Sequence, residues 1–239
     1  VLDFRDSPLH PSRGLFASLV FDYARSLAYR DKATGHSYLL FGLLRGSENF
    51  TDMLKVDATL SSYQPMWRNA VLALSVRAGR VLPLSKDSQT IGPKRFFLGG
   101  ASTMRGAGED EMIPEDRREA AHQEVAACSN SLSGLNCTQF ARDVIAGRPP
   151  TSQGGESYLL GKVELRQGVG RIVAGLPTEL GFFLDAGNLW LDPLNASIRK
   201  LRYHVGAGLR FLTPIGPAAL DVGLNTAPEV SVPTFAAQK

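Results

Sequence analysis

"MLKVDATLS", residues 53–61, alternates without a break: Leu54, Val56, Ala58 and Leu60 share one face, and Lys55, Asp57, Thr59 and Ser61 share the other. Successive side chains of an extended strand point to opposite sides, so period two specifies a strand with one apolar and one polar face. The pattern recurs along the chain. In "NAVLALSVRAG" (69–79), Ala70, Leu72, Leu74, Val76 and Ala78 oppose Asn69, Ser75, Arg77 and Gly79. In "SYLLGKVELRQG" (157–168), Leu159, Val163 and Leu165 oppose Lys162, Glu164 and Arg166, and in "ELGFFLDAGNLW" (179–190), Phe182, Leu184 and Ala186 oppose Gly181, Asp185 and Gly187. "LRYHVGAGLRFLTPIG" (201–216) sets Leu201, Tyr203, Val205, Ala207, Leu209 and Phe211 against Arg202, His204 and Arg210, and "ALDVGLN" (219–225) sets Leu220, Val222 and Leu224 against Asp221 and Asn225. Adding "GLFASLVFDYA" (14–24) and "HSYLLFGLLRG" (36–46) predicts seven or eight strands.

A soluble β-sandwich also alternates, with its apolar face as the core. Length separates the two architectures. Soluble strands usually run about five or six residues, whereas a tilted membrane strand needs about 9–11, and all the segments above except "ALDVGLN" reach or exceed that. Their outer set is smoothly aliphatic, and Tyr23, Tyr63, Trp67, Trp190 and Tyr203 fall toward strand ends, where an interfacial aromatic girdle would lie. The fold class predicted is all-β, an antiparallel transmembrane β-barrel.

The bulk numbers bound the alternatives. The 239 residues are 44% hydrophobic and 8% aromatic, ample for an ordered domain. The 26 Lys and Arg are scattered among 23 Asp and Glu rather than gathered in a block, for a net charge of +3, which argues against a nucleic-acid surface. No run approaches the roughly 18 consecutive apolar residues of a membrane-spanning helix. A barrel carries no such signal, because its segments are short and alternating.

Residues 109–155 break the alternation and are too long for an ordinary connection. "PEDRREAAHQEVAA" (114–127) reads as a helix with Pro114 at its start and acidic residues in its first turn. "TQFARDVIAG" (138–147) reads as a second, stopped by Gly147 and Pro149. Cys128 and Cys137, the two cysteines of the chain, stand close together in a polar stretch and read as one local disulfide in an oxidising compartment, with a pair of free thiols as the other reading. A long, partly helical extracellular loop over residues 99–155 is predicted.

At its start lies "RFFLGGASTMRGAG" (95–108), a glycine-rich stretch with one guanidinium, Arg105. A phosphate-binding P-loop needs a Lys followed by Ser or Thr and a helix behind it; here Gly106, Ala107 and Gly108 follow. Either the loop cradles a ligand, docks elsewhere in the protein, or is a surface turn.

Five stretches, in this order and at roughly this spacing, resemble the barrel of the BamA and TamA outer-membrane assembly factors: "DFRDSPLHPSRG" (3–14), "RFFLGGASTMRG" (95–106), "GKVELR" (161–166), "GFFLDAGNLW" (181–190) and "GAGLRFLTPIGPAALDVG" (206–223). In that family the Arg-Gly motif is usually Val-Arg-Gly-Tyr or Val-Arg-Gly-Phe, at the tip of a loop folded back into the barrel. Here it reads Met104, Arg105, Gly106, Ala107, so the aromatic is missing. The resemblance implies that Arg105 pairs with Glu164 and Asp185, both of which the alternation places on the polar face. One planar guanidinium can engage two carboxylates at once, which a Lys cannot match in geometry. Gly99, Gly100 and Gly106 let the loop backbone pass close to the wall, and Gly181 and Gly187 clear space beside Asp185.

The resemblance also implies periplasmic POTRA repeats ahead of a sixteen-stranded barrel, with this chain matching its C-terminal half from about the midpoint. "VSVPTFAAQK" (230–239) does not look like the family's closing strand, which finishes on an aromatic. Seven or eight strands with two open edges would leave backbone groups unpaired in lipid, so either the first barrel half or a complementing chain is expected to close it. The expected function is assembly or insertion of outer-membrane proteins in the bacterial outer membrane, with the lipid bilayer and client proteins as partners. No cofactor is implied, nor any covalent step. The alternatives are a two-partner-type secretion transporter and a passive pore. A hydrolytic barrel is disfavoured: His204 lies on the polar face beside Arg202 and Arg210, but no Ser or Cys nucleophile stands in a usable motif.

Overall fold

Residues 1–25, 28–30, 37–39, 44–45, 51–86, 88–129, 137–146, 148, 152–172 and 175–226 are described by a computed structural model. The alternating segments form β1 (Leu2–Asp3), β2 (Gly14–Arg25), β6 (Asp52–Pro65), β7 (Ala70–Pro83), β8 (Ser157–Arg171), β9 (Pro177–Trp190), β10 (Arg202–Thr213) and β11 (Gly216–Asn225), with β3 (Ala28–Arg30), β4 (Ser37–Leu39) and β5 (Leu44–Arg45) between β2 and β6. Eight strands make one antiparallel sheet in the order β1-β2-β6-β7-β8-β9-β10-β11. Seven of them run from 10 to 15 residues, the length regime of a membrane barrel. The sheet is part of an all-β barrel.

Two expectations need correction. The strand read over 36–46 is a hairpin: β4 pairs with β5 on one side and with β3 on the other in a separate three-stranded sheet, and the remaining residues of that stretch lie outside the described residues. Trp190 and Tyr63 do not belong to an outer girdle. Trp190 is 2% exposed, and Tyr63 shares the inner face of β6 with Ser61, 5.7 Å beneath the Arg166 guanidinium. Tyr23, Trp67 and Tyr203 are exposed, as a girdle requires. The tail over 230–239 lies outside the described residues.

The register shows which face is which. Leu60 pairs with Val76 across β6 and β7, and both are exposed; the next pair, Ser61 and Ser75, points the other way and is hydrogen-bonded at 2.9 Å. Asp185, His204 and Arg202 are buried while Leu184, Tyr203 and Val205 beside them are exposed. The burial is inside-out relative to a soluble protein, with polar side chains enclosed and aliphatic ones presented to the surroundings. The sheet curls toward its polar face: the β1–β2 turn touches Glu179 of β9, although β6, β7 and β8 intervene in the sheet.

The connections sort by length. Between β6 and β7, β8 and β9, and β10 and β11 they are tight; the long connection from Leu84 to Glu156 sits at the other end and folds over the concave face. Its stem is a bridge between Phe96 and Gly155, closed by two backbone hydrogen bonds of 2.8 Å. It carries α1 (Glu115–Ser129) and α2 (Gln139–Ile145), close to the helices read from the sequence. Thr138 caps α2 by accepting from the Ala141 amide. Cys128 and Cys137 are disulfide-bonded across the end of α1 and the start of α2. Val125, Ala141 and Val144 form the small core between the helices.

Candidate functional site

Arg105 lies at the tip of the docked connection, 5% exposed. Its Nε and Nη2 donate to the two oxygens of Asp185 at 2.8 and 2.7 Å, a fork-on-fork pair. The Arg105 backbone amide also donates to Asp185, at 3.1 Å. The remaining arm, Nη1, donates to Glu164 at 2.6 Å and to Asp221 at 3.4 Å. One side chain thus ties the loop to β8, β9 and β11. Lys could not replace this, since a single ammonium cannot present two parallel N–H bonds to one carboxylate and a third to another.

Four cations face three carboxylates here. Arg210 donates to Glu164 at 2.9 Å and to Asp221 at 3.4 Å, Lys162 approaches Asp185 at 3.9 Å, and Arg166 approaches Glu164 at 3.8 Å. Buried like charges are tolerable only when each has opposite partners in contact, and every carboxylate of the cluster touches at least two cations. Phe183 of β9 lies under the Arg105 guanidinium, 3.6 Å from ring centroid to carbon. His204 closes the other side, its Nδ1 3.0 Å from the Arg105 carbonyl oxygen.

The loop glycines have distinct uses. Gly99, Gly100 and Gly106 adopt φ of 122°, 84° and 98°, where a side chain is strained. Gly181 and Gly187 clear space for groups other than Asp185: a Cβ on Gly181 would meet the Arg210 guanidinium at 2.2 Å, and one on Gly187 would meet Met104 Sδ at 3.0 Å.

Above the charged cluster the inner face turns apolar, which the alternation did not disclose. Met53, Val81, Tyr158, Leu160 and Leu189 lie on the polar phase of their strands but at the loop-side ends, and they pack against Phe96, Leu98, Met104 and Met112 of the connection. Gly79 leaves room for the Phe96 and Tyr158 rings, whose centroids are 4.8 Å apart. Tyr158 in turn donates to Asp57 at 2.9 Å, and Lys55 stands over the Phe96 ring at 4.1 Å. The loop is therefore seated twice, by a dry plug and by the charge cluster beneath it. Polar pins hold its helical part: Asp116 accepts from the Leu191 and Asp192 amides at 3.0 and 2.7 Å, and Arg202 donates to the Ile113 carbonyl at 2.5 Å.

Asp221 and Arg210 were legible as inward residues, but not as members of the cluster, because membership depends on how far β10 and β11 slide past β9. Direct pairing of His204 with Asp185 and of Gly208 with Asp221 fixes that register.

A family model described as the Omp85 superfamily domain matches residues 1–234. The chain belongs to the Omp85 superfamily. Among solved structures, the crystal structure of BamA from Haemophilus ducreyi lacking POTRA domains 1-3 superposes with a TM-score of 0.59 at 16% identity, covering 95% of this chain. This Omp85 chain spans 37% of the length of that BamA structure. No curated protein matches it.

Proposed function

We propose that residues 1–239 are the C-terminal portion of an outer-membrane barrel domain in a bacterium. Residues 99–155 form its folded-back extracellular loop, and the whole protein inserts or assembles other outer-membrane proteins. Arg105 and Gly106, with Glu164 and Asp185 on the wall and Gly99 and Gly100 behind them, act as the loop latch. The exposed aliphatic sets meet lipid, and the missing barrel strands come from a preceding half or a complementing chain.

The observation that carries this reading is the double seating of the loop at Arg105. A passive pore requires an open lumen, whereas here the concave face is filled by an apolar plug resting on a fork of buried ion pairs. A filled lumen leaves strand edges as the working surface. Among the described residues β11 pairs only with β10, and an incoming strand can add to such an edge through backbone hydrogen bonds, with no covalent step.

The test is reconstitution. Liposomes carrying the full-length protein should accelerate the appearance of heat-resistant, folded client barrel from a urea-unfolded precursor, and Arg105→Ala should remove most of the acceleration. Vesicles that leak entrapped solute while client folding stays at the rate of empty liposomes would identify a pore instead.

A further inference from the structure

At the short-turn end, residues 4–13 connect β1 to β2 by a detour over the concave face. Asp6 closes the turn on itself, accepting from the Ser12 amide at 2.9 Å, the Arg13 amide at 3.1 Å and the Ser12 hydroxyl. Its tip then makes two distant contacts. The Pro11 carbonyl accepts from Arg166 Nη2 of β8 at 2.5 Å, and His10 Nε2 lies 2.9 Å from Glu179 Oε2 of β9. From β2 to β9 is four strand spacings, about 19 Å around the sheet at roughly 4.8 Å each, and the turn crosses that arc as a chord. Next to it lies a cleft of about 520 Å³ whose walls include His10, Ser12, Val71 and Glu179.

We propose that residues 6–13 are a strap closing the short-turn mouth of the lumen, with Arg166 to Pro11 as its anchor and His10 to Glu179 as a releasable catch. The two contacts differ in character. The anchor is a buried guanidinium on a buried residue's carbonyl. The catch joins two partly exposed side chains, 23% and 13% exposed, with Arg166 and Arg210 as the other charges acting on Glu179. Pairs in such a setting contribute little and open readily. Because Asp6 holds the turn closed on itself and Pro11 stays anchored, loss of the catch lets the turn pivot about the anchor rather than unravel. The docked loop covers the concave face at the far end, and the strap covers it at the short-turn end. This goes beyond the assembly function and requires only the curled sheet.

The experiment places one reporter thiol, Val71→Cys, in the cleft of the full-length protein in liposomes and measures its reaction with a small neutral methanethiosulfonate. His10→Ala and Glu179→Gln should each raise the rate by about two- to fivefold, the scale of one lost, partly exposed ion pair. The swapped pair, His10→Glu with Glu179→His, should return the rate to near the parent value. A second reporter, Val81→Cys, buried in the plug at the opposite end, should stay slow throughout. Unchanged labelling at Val71→Cys in the single variants, a swapped pair as fast as the singles, or a parallel rise at Val81→Cys would each overturn the strap.

Discussion

Gly106 and Gly223 meet backbone against backbone: a Cβ on Gly223 would lie 2.7 Å from the Gly106 nitrogen and 2.9 Å from the carbonyl of Arg105. The loop tip is therefore in contact with β11, the edge of the sheet, at the same point where Arg105 reaches Asp221 on that strand. The obstructing atoms are main chain on both sides, so neither can rotate away. Gly223→Ala should weaken docking by about 1–3 kcal/mol, the usual cost of overpacking a filled site. Limited proteolysis of the loop measures this, and a Gly223→Ala protein as resistant as the parent would show that β11 and the loop are not seated on one another.

The facing of the sheet gives a second prediction. Thiols at Leu60 or Val76 should react with lipid-soluble maleimides in a native membrane, and a thiol at Ser75 only with water-soluble ones, since the first pair is exposed on the aliphatic face and Ser75 lies on the enclosed one. The opposite labelling would reverse the assignment of faces.

The parts legible in the sequence share a cause. Alternation is a local property, so Leu54, Val56, Ala58 and Leu60 reveal a strand without reference to any other segment. The helices of the loop were equally local, marked by Pro114, its acidic first turn and the breakers after Ile145. Contacts between distant segments are a different matter. Met53, Val81 and Leu189 obey the polar phase, and only the height at which the connection re-enters the sheet turns them into a plug. Phe183 follows the same rule: it sits between Gly181 and Asp185 as an apolar exception on the inner face, and its purpose is visible once Arg105 lies over it. The hairpin over β4 and β5 was missed because a continuous apolar run looks alike in one strand or two.

Reduction should act on one part of the loop and spare the rest. Eight residues separate Cys128 from Cys137, and closing a loop of that size stabilises it by about 2–3 kcal/mol in the chain-entropy picture. Hydrogen exchange should show α2 losing protection in dithiothreitol. The first turn of α1, pinned by Asp116 to the Leu191 and Asp192 amides, should retain it. Uniform loss along both helices would mean that the disulfide holds the entire lid.

The strap has its own pH signature at Asp6. Hydrogen bonds from the Ser12 hydroxyl and the Arg13 and Ser12 amides hold this carboxyl well below the usual carboxylate range. A depressed folded-state value means the stabilisation is full above the unfolded value, about 3.9, and is lost only as pH falls through the folded one. Protection factors of the Ser12 and Arg13 amides should thus be flat from neutral pH down to about 4 and collapse only below it. In Asp6→Asn they should be low at every pH; a decline already under way at pH 6 would assign the turn's stability to another group.

Replacing Arg105 separates the roles of its carboxylate partners. Without the guanidinium, Glu164 still has Arg210 at 2.9 Å, while fully buried Asp185 keeps, among the described residues, Lys162 at 3.9 Å and the backbone amide of residue 105. The penalty of Arg105→Ala, about 3–5 kcal/mol for a broken buried pair, should therefore fall chiefly on Asp185. Arg105→Lys should lie between parent and Ala, because it restores one charge but neither the fork nor the flat contact with Phe183. The decisive variant is the double one. Asp185→Asn in the Arg105→Ala background removes the stranded charge and should recover part of the lost stability, read as the temperature at which the folded barrel loses its compact mobility in detergent gels. Glu164→Gln in the same background should recover less. Equal recovery from both would place the cluster's balance on the shared arm at Glu164 and Asp221 rather than on the fork to Asp185.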